Sequence, residues 1–240
     1  MSEFMPVELE HAGTLLTGKA AIPAGEGPFP AVLVMHNALG IGERIHEVLR
    51  RLAALGYVAV ASDMYGGGAP AGDPAITSGV SFQAVMQDPA LLRSRVAAWF
   101  GRVAAMPQVK ADRVAAIGYC FGGTCVLELA RSGAPARAVV SFHGILTSAA
   151  PMEAGAFAGE VHAWCGAHDP FAPLDHIEGL RLELASAGAR HTITTFGDAA
   201  HGFSDPGSDA LGMEGIAYNA LADRMSWAGT VELLGAVLRG

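Results

Sequence analysis

Cysteine is scarce in this chain, three residues in 240. An odd, sparse set does not make a disulfide framework, so a reducing compartment, the cytoplasm, is the expected home. Charge is also thin, at 16% of residues, and the net charge is −8 with no Lys/Arg cluster. That balance argues against a nucleic-acid or anionic-membrane partner. No apolar run is long enough to span a bilayer: the uncharged apolar stretch around Val114 to Leu127 is short and broken by glycines. No basic-then-apolar segment opens the chain, so no signal peptide is expected. Met1-Ser2-Glu3-Phe4 ahead of Met5 has the look of a cloning scar. No cluster has metal-ligand spacing, and no metal or cofactor is expected. What is abundant is apolar residues, 51% of the chain, which suits one compact α/β domain over residues 1–240. A homodimer is left open.

Along the chain the apolar pattern alternates between strand and helix. Val7–Leu9 and Leu15–Ile22, around Gly13 and Gly18, suggest an antiparallel hairpin at the sheet edge. Ala31–Met35 is a continuous apolar run, the mark of a strand buried on both faces. Ile45, Val48, Leu49, Leu52 and Leu55 form an i, i+3, i+4 stripe, with Gly56 placed to cap it. Tyr57–Ala61, Ala138–Phe142, Val161–Cys165 and His191–Phe196 read as further strands. Helical stripes run through Leu92, Val96, Trp99 and Val103, through Ile177, Leu180, Leu184 and Ala187, and through Trp227, Val231, Leu234 and Leu238. The glycine-rich stretch Asp63 to Asp73 could pass for a phosphate cradle, but without a lysine and an immediate helix it reads as a plain loop. Alternating β and α predicts a mostly parallel, doubly wound sheet with helices on both faces and an antiparallel N-terminal edge.

The chain is organised around Gly118-Tyr119-Cys120-Phe121-Gly122-Gly123. The apolar run Arg113–Ile117 before it reads as a buried strand, and Thr124–Ala130 after it as a helix. Strand, sharp turn, helix is the setting of a nucleophile elbow, in which flanking glycines let neighbouring backbones approach. Free cysteines are usually plain core residues. The glycine frame reverses that reading for Cys120, whose thiolate is a strong nucleophile once a base or helix N-terminus activates it. Cys125 and Cys165 have no such frame and read as core.

A cysteine on an elbow needs a base and an orienter, in chain order nucleophile, acid, histidine. Asp169 lies just past a strand in a turn sharpened by Gly166 and Pro170, and His201 lies in the loop after the last strand. His168 rivals His201 but adjoins the acid rather than following it. Asp198 and Asp205, three and four residues from His201, read as loop-shaping carboxylates. His36 and His143 also end strands at that edge and read either as pocket residues or as hydrogen-bonded strand-end histidines.

Taken together, Met35-His36-Asn37-Ala38-Leu39-Gly40, Ala54-Leu55-Gly56-Tyr57, Ser62-Asp63-Met64-Tyr65, the elbow, Gly166-Ala167-His168-Asp169 and Ala200-His201-Gly202-Phe203 resemble the dienelactone hydrolase family of the α/β-hydrolase fold. The resemblance implies Cys120 as nucleophile, His201 as base and Asp169 as its orienter. It also implies an oxyanion hole from the backbone N–H groups of Ala38 and Phe121, with Asn37, Leu39, His143, Phe203 and Asp205 binding substrate or backing the site. Two departures stand out. Asn37 occupies the place where the family has a glutamate that pairs with the resting thiol. Ser204-Asp205 stands where members acting on dienelactone carry a carboxylate-gripping arginine, and an acidic residue there is repulsive to such substrates.

The resulting expectation is a cofactor-independent esterase or lactonase for small neutral substrates, with promiscuous activity on aryl esters and phosphotriesters. Three other readings compete with it. One is a dienelactone-type (carboxymethylenebutenolide) lactonase, and another a non-catalytic binding protein on the same fold with Cys120 inert. The third, a thiol redox protein, suffers from having no C-x-x-C.

Overall fold

A computed structural model describes residues 4–66 and 74–240. Residues 1–3 of the expected cloning scar and 67–73 of the glycine-rich stretch lie outside the described residues. The hairpin is β1 (Met5–His11) and β2 (Thr14–Ala21), paired antiparallel with His11 opposite Thr14. Ala12 and Gly13 between them both have positive φ, 51° and 73°, the twist that a two-residue hairpin turn requires.

Six more strands follow: β3 (Phe29–Met35), β4 (Val58–Ser62), β5 (Val109–Tyr119), β6 (Ala138–Phe142), β7 (Glu160–Gly166) and β8 (Arg190–Phe196). The sheet order is β1-β2-β4-β3-β5-β6-β7-β8, antiparallel at β1-β2 and β2-β4 and parallel from β4 to β8. This is the expected doubly wound sheet with its antiparallel edge, and the α/β-hydrolase fold.

The helices are α1 (Glu43–Ala54), α2 (Pro74–Met86), α3 (Pro89–Ala104), α4 (Phe121–Arg131), α5 (Leu174–Ser186) and α6 (Ala220–Arg239), with a short 3-10 turn at Ser208–Leu211. The period-2 alternation of β3 distributes them. Ala31, Leu33 and Met35 face a core shared with α3, α4 and α5, while Val32 and Val34 face a second core under α1 and α6. The sheet is therefore covered on both sides, as parallel strands demand.

Two expectations are corrected. A helix, α2, does begin directly after the glycine-rich stretch. Its sequence mixes Gly79, serines and β-branched residues and carries almost no amphipathic signal, so periodicity hides it. On α6 the buried row is Ala222, Ser226, Thr230, Leu234 and Leu238, not a row through Trp227 and Val231, which are half-buried. The polar members of that row are satisfied: Thr230 accepts from Trp164 Nε1 at 3.0 Å, and both hydroxyls donate to α6 carbonyls.

Candidate active site

The elbow forms because its glycines leave no room for anything else. A Cβ on Gly118 would lie 2.0 Å from the Gly122 carbonyl oxygen, and one on Gly122 would lie 2.2 Å from that of Met35. Helix α4 thus starts in backbone contact with both β5 and β3. Cys120 at the tip has φ 54° and ψ −116°, a strained conformation for a residue with a side chain. It is held there by its N–H donating to the Phe142 carbonyl at 3.0 Å and by its own carbonyl accepting from Gly123 N–H at 2.8 Å. Cys120 is half-buried, whereas Cys125 and Cys165 are core residues whose thiols burial pushes up.

Parallel strands deliver the partners to the same edge. Asp169 follows β7 and His201 follows β8, and the two meet with His201 Nδ1 2.9 Å from Asp169 Oδ2. Asp169 is buried, and its second oxygen accepts the Phe171 N–H at 2.8 Å. The His201 backbone is pinned to a segment far along the chain, its N–H donating to Gly215 and its carbonyl accepting from Ala217. Burial by itself lowers the His201 pKa, but the hydrogen bonds to Asp169 and to the Cys120 sulfur, with the negative charge these partners carry, raise it to about 10. The rivals do not take the place of the pair: His168 and Asp198 are exposed, and Asp205 accepts the Gly207 N–H at 2.9 Å in a tight turn.

Above Cys120 and His201 opens a cavity of about 410 Å³, lined mainly by apolar side chains, with Asn37, Ala38, Leu39, His143 and Asp205 in its walls. The N–H groups of Ala38 and Phe121 have no acceptor among the described residues. Phe121 opens α4, so its N–H is one of the helix's unsatisfied donors.

The dienelactone hydrolase family model matches residues 16–238. The chain belongs to that family. It is 27% identical to a Synechocystis protein that carries the name carboxymethylenebutenolidase as a provisional assignment, over 97% of this chain and 96% of the relative. Among solved structures, m3DLH is 36% identical with a TM-score of 0.90, covering 98% of each chain. A dienelactone hydrolase-like promiscuous phosphotriesterase from metagenomic libraries is 34% identical with a TM-score of 0.89, again over 98% of both chains. The chain is, by these likenesses, a hydrolase.

Within the candidate site of this dienelactone hydrolase family member the remaining predicted residues divide. Asn37 lines the cavity, but its Oδ1 accepts the Leu39 N–H at 2.9 Å, so the side chain caps its own loop. His143 is buried with φ 39°, its Nε2 2.8 Å from Ser204 Oγ and its ring 5.1 Å from that of His201. Burial first, then the neighbouring His201 cation, holds His143 neutral. Phe203 does not line the cavity; of the two places expected for it, it has the one behind the site. It is fully buried behind His143, ring to ring at 5.1 Å.

Sequence reasoning missed Arg44, Phe171, Leu211, Met213 and Ile216, all of which reach the cavity. Arg44 donates to Glu47 at 3.0 Å, to Asp223 at 3.3 Å and to the Ser204 carbonyl. Its presence in the wall is invisible in the sequence, because it sits on the face of α1 next to the buried stripe and only the return of the 201–216 loop makes it a cavity residue. No helix among the described residues is long and apolar enough to cross a membrane.

Proposed function

We propose that the protein hydrolyses neutral carboxylic esters and lactones without a cofactor, through a Cys120-His201-Asp169 triad. The observation that carries this reading is the convergence at one cavity of a strained elbow cysteine with a histidine already hydrogen-bonded to a buried carboxylate. Cys120 gives its thiol proton to His201 as its sulfur attacks the carbonyl carbon, and the developing oxyanion accepts from the N–H groups of Ala38 and Phe121. The His201 imidazolium protonates the departing alkoxide, leaving a thioester. Water then attacks the thioester as His201 takes its proton, releasing the acid and restoring the thiol. Asp169 holds the imidazole orientation and balances its charge throughout.

The rim favours apolar substrates, since Leu39, Phe171, Leu211 and Met213 stand exposed around the opening. Aryl esters are the best substrates, because a good leaving group relaxes the need for proton donation. The likeness to a promiscuous phosphotriesterase supports uncharged phosphotriesters as a second class, attacked by the same sulfur with the phosphoryl oxygen in the same N–H pair. Hydrolysis of the phosphoryl-cysteine is then the slow step, seen as a burst followed by slow turnover. One observation favours the dienelactone-type reading: Arg44 places a cation in the cavity wall. Its guanidinium is already engaged by Glu47, Asp223 and a carbonyl, so it is a weak carboxylate grip.

Cys120→Ala and His201→Ala each lose roughly 10³-fold or more of p-nitrophenyl ester hydrolysis while melting as folded proteins, as members of a unit do. Turnover near wild type in Cys120→Ala overturns the scheme.

A further inference from the structure

The loop bearing Ala38 is pinned by hydrogen bonds on both sides of the Ala38 N–H. The Asn37 carbonyl accepts from His36 Nδ1 at 2.6 Å and from Gly40 N–H at 3.2 Å. The next peptide is fixed at both ends, its carbonyl, Ala38 O, accepting from Tyr65 Oη at 2.9 Å and its N–H, on Leu39, donating to Asn37 Oδ1. In a trans peptide the C=O and N–H point in opposite directions. Anchoring the Asn37 carbonyl toward His36 therefore turns the Ala38 N–H the other way, and Ala38 lines the cavity.

The tautomer of His36 follows from its partners. Met64 N–H donates to Nε2 at 3.2 Å, so Nε2 is the acceptor and the proton rides on Nδ1, where it can donate to Asn37. His36 is buried and does not touch the cavity itself. The turn that supplies Met64 and Tyr65 is rigid: Asp63 Oδ1 accepts from Tyr65 N–H at 2.8 Å and Gly66 N–H at 3.0 Å. Trp99 and Arg95 of α3 donate to the Asp63 and Met64 carbonyls, each at 2.7 Å. The His36 ring also packs against Tyr65 at 4.8 Å and Phe121 at 5.8 Å, so one cluster seats both N–H donors.

We propose that His36 and Tyr65 are positioning residues that aim the Ala38 N–H at the oxyanion, with the Asp63–Gly66 turn as their fixed support. This rests on the reading of Ala38 and Phe121 as the oxyanion donors. Pre-aimed donors cost no reorganisation when charge develops, so loosening one raises the barrier without affecting steps that build no oxyanion.

The test compares three measurements on Tyr65→Phe, His36→Leu and His36→Asn. These are kcat/KM for a p-nitrophenyl ester, inhibition by a trifluoromethyl ketone whose adduct carries the oxyanion, and the alkylation rate of Cys120 with iodoacetamide. Tyr65→Phe keeps its ring and loses about tenfold in kcat/KM, and His36→Leu loses on the order of a hundredfold. His36→Asn, whose Nδ2 falls near the lost Nδ1, recovers much of that loss. Ketone inhibition weakens by the same factors, while alkylation, a displacement at saturated carbon, stays within about twofold. Unchanged kcat/KM in Tyr65→Phe overturns the inference, as does a parallel loss of alkylation, which marks a collapsed site. Failure of the underlying reading looks different: wild-type protein without ester turnover, or turnover that survives Cys120→Ala.

Discussion

His201 carries a charge that its surroundings decide. Burial opposes its protonation, yet the hydrogen bonds to Asp169 and to the Cys120 sulfur, with the charge on those partners, outweigh burial and lift its pKa to about 10 from an ordinary 6.5. A folded-state pKa above the unfolded one gives stability that is fully present below pH 6.5 and lost as pH rises through about 10. The wild type therefore loses stability across that window with an extra slope of up to about 1.4 kcal/mol per pH unit, one proton's worth. His201→Phe lacks this component, and denaturant melts of the two proteins from pH 6 to 10.5 measure it. Equal slopes would show that His201 is neutral in the folded protein. Cys120, Asp169 and His201 were legible residue by residue because each carries a local signal: a glycine frame, a strand-end turn, or a place in the expected chain order. Arg44 and Phe171 carry none, and Tyr65 only its place in a family motif, since what makes them site residues is the return of remote segments to one sheet edge.

At the scale of elements, the elbow is a three-body contact of β5, α4 and β3, and glycine sets its distances. A Cβ on Gly122 would meet Met35 O at 2.2 Å, Met35 C at 2.6 Å and His36 O at 2.8 Å, all backbone atoms that cannot swing aside. Gly122→Ala must therefore push β3 away, and β3 leads directly into Asn37 and Ala38. The expected result is a melting temperature lower by roughly 5–10 °C with ester hydrolysis reduced further than stability alone accounts for. Gly101→Ala in α3 is the control, having nothing within 4 Å of its Cβ. It gains about 0.5–1 kcal/mol from helix propensity, which thermal melts register as a small increase. A Gly122→Ala protein that melts and turns over like wild type would mean the elbow has room that the contacts deny. Strands such as Ala31–Met35 and Ala138–Phe142 could be read from sequence because burial on both faces makes them uninterrupted apolar runs. The α6 stripe was misread because Ser226 and Thr230 are buried through hydrogen bonds, and a search for apolar periodicity passes over them.

Over the whole molecule, charge is expected to bias which substrates the cavity accepts. The chain carries a net −8, and Asp205 stands in the cavity wall. A substrate carboxylate about 4 Å from Asp205 meets a repulsion of about 4 kcal/mol at an effective dielectric of 20. Reading Asp205 alone from the sequence gave that repulsion unopposed; the structure adds Arg44 to the same wall. Arg44 is already paired with Asp223 and Glu47, so it returns only part of the lost affinity. The selectivity for a neutral ester over its carboxylated match is then on the order of ten- to a hundredfold rather than a thousandfold. Asp205 also shapes its turn by accepting the Gly207 N–H, so Asp205→Asn, which keeps an acceptor there and removes the charge, is the clean substitution. Measuring kcat/KM for such a matched pair, wild type favours the neutral ester and Asp205→Asn narrows the gap several-fold, mainly by improving the carboxylated substrate. Wild-type preference for the carboxylated ester would sink the idea and make Arg44 the group that grips it.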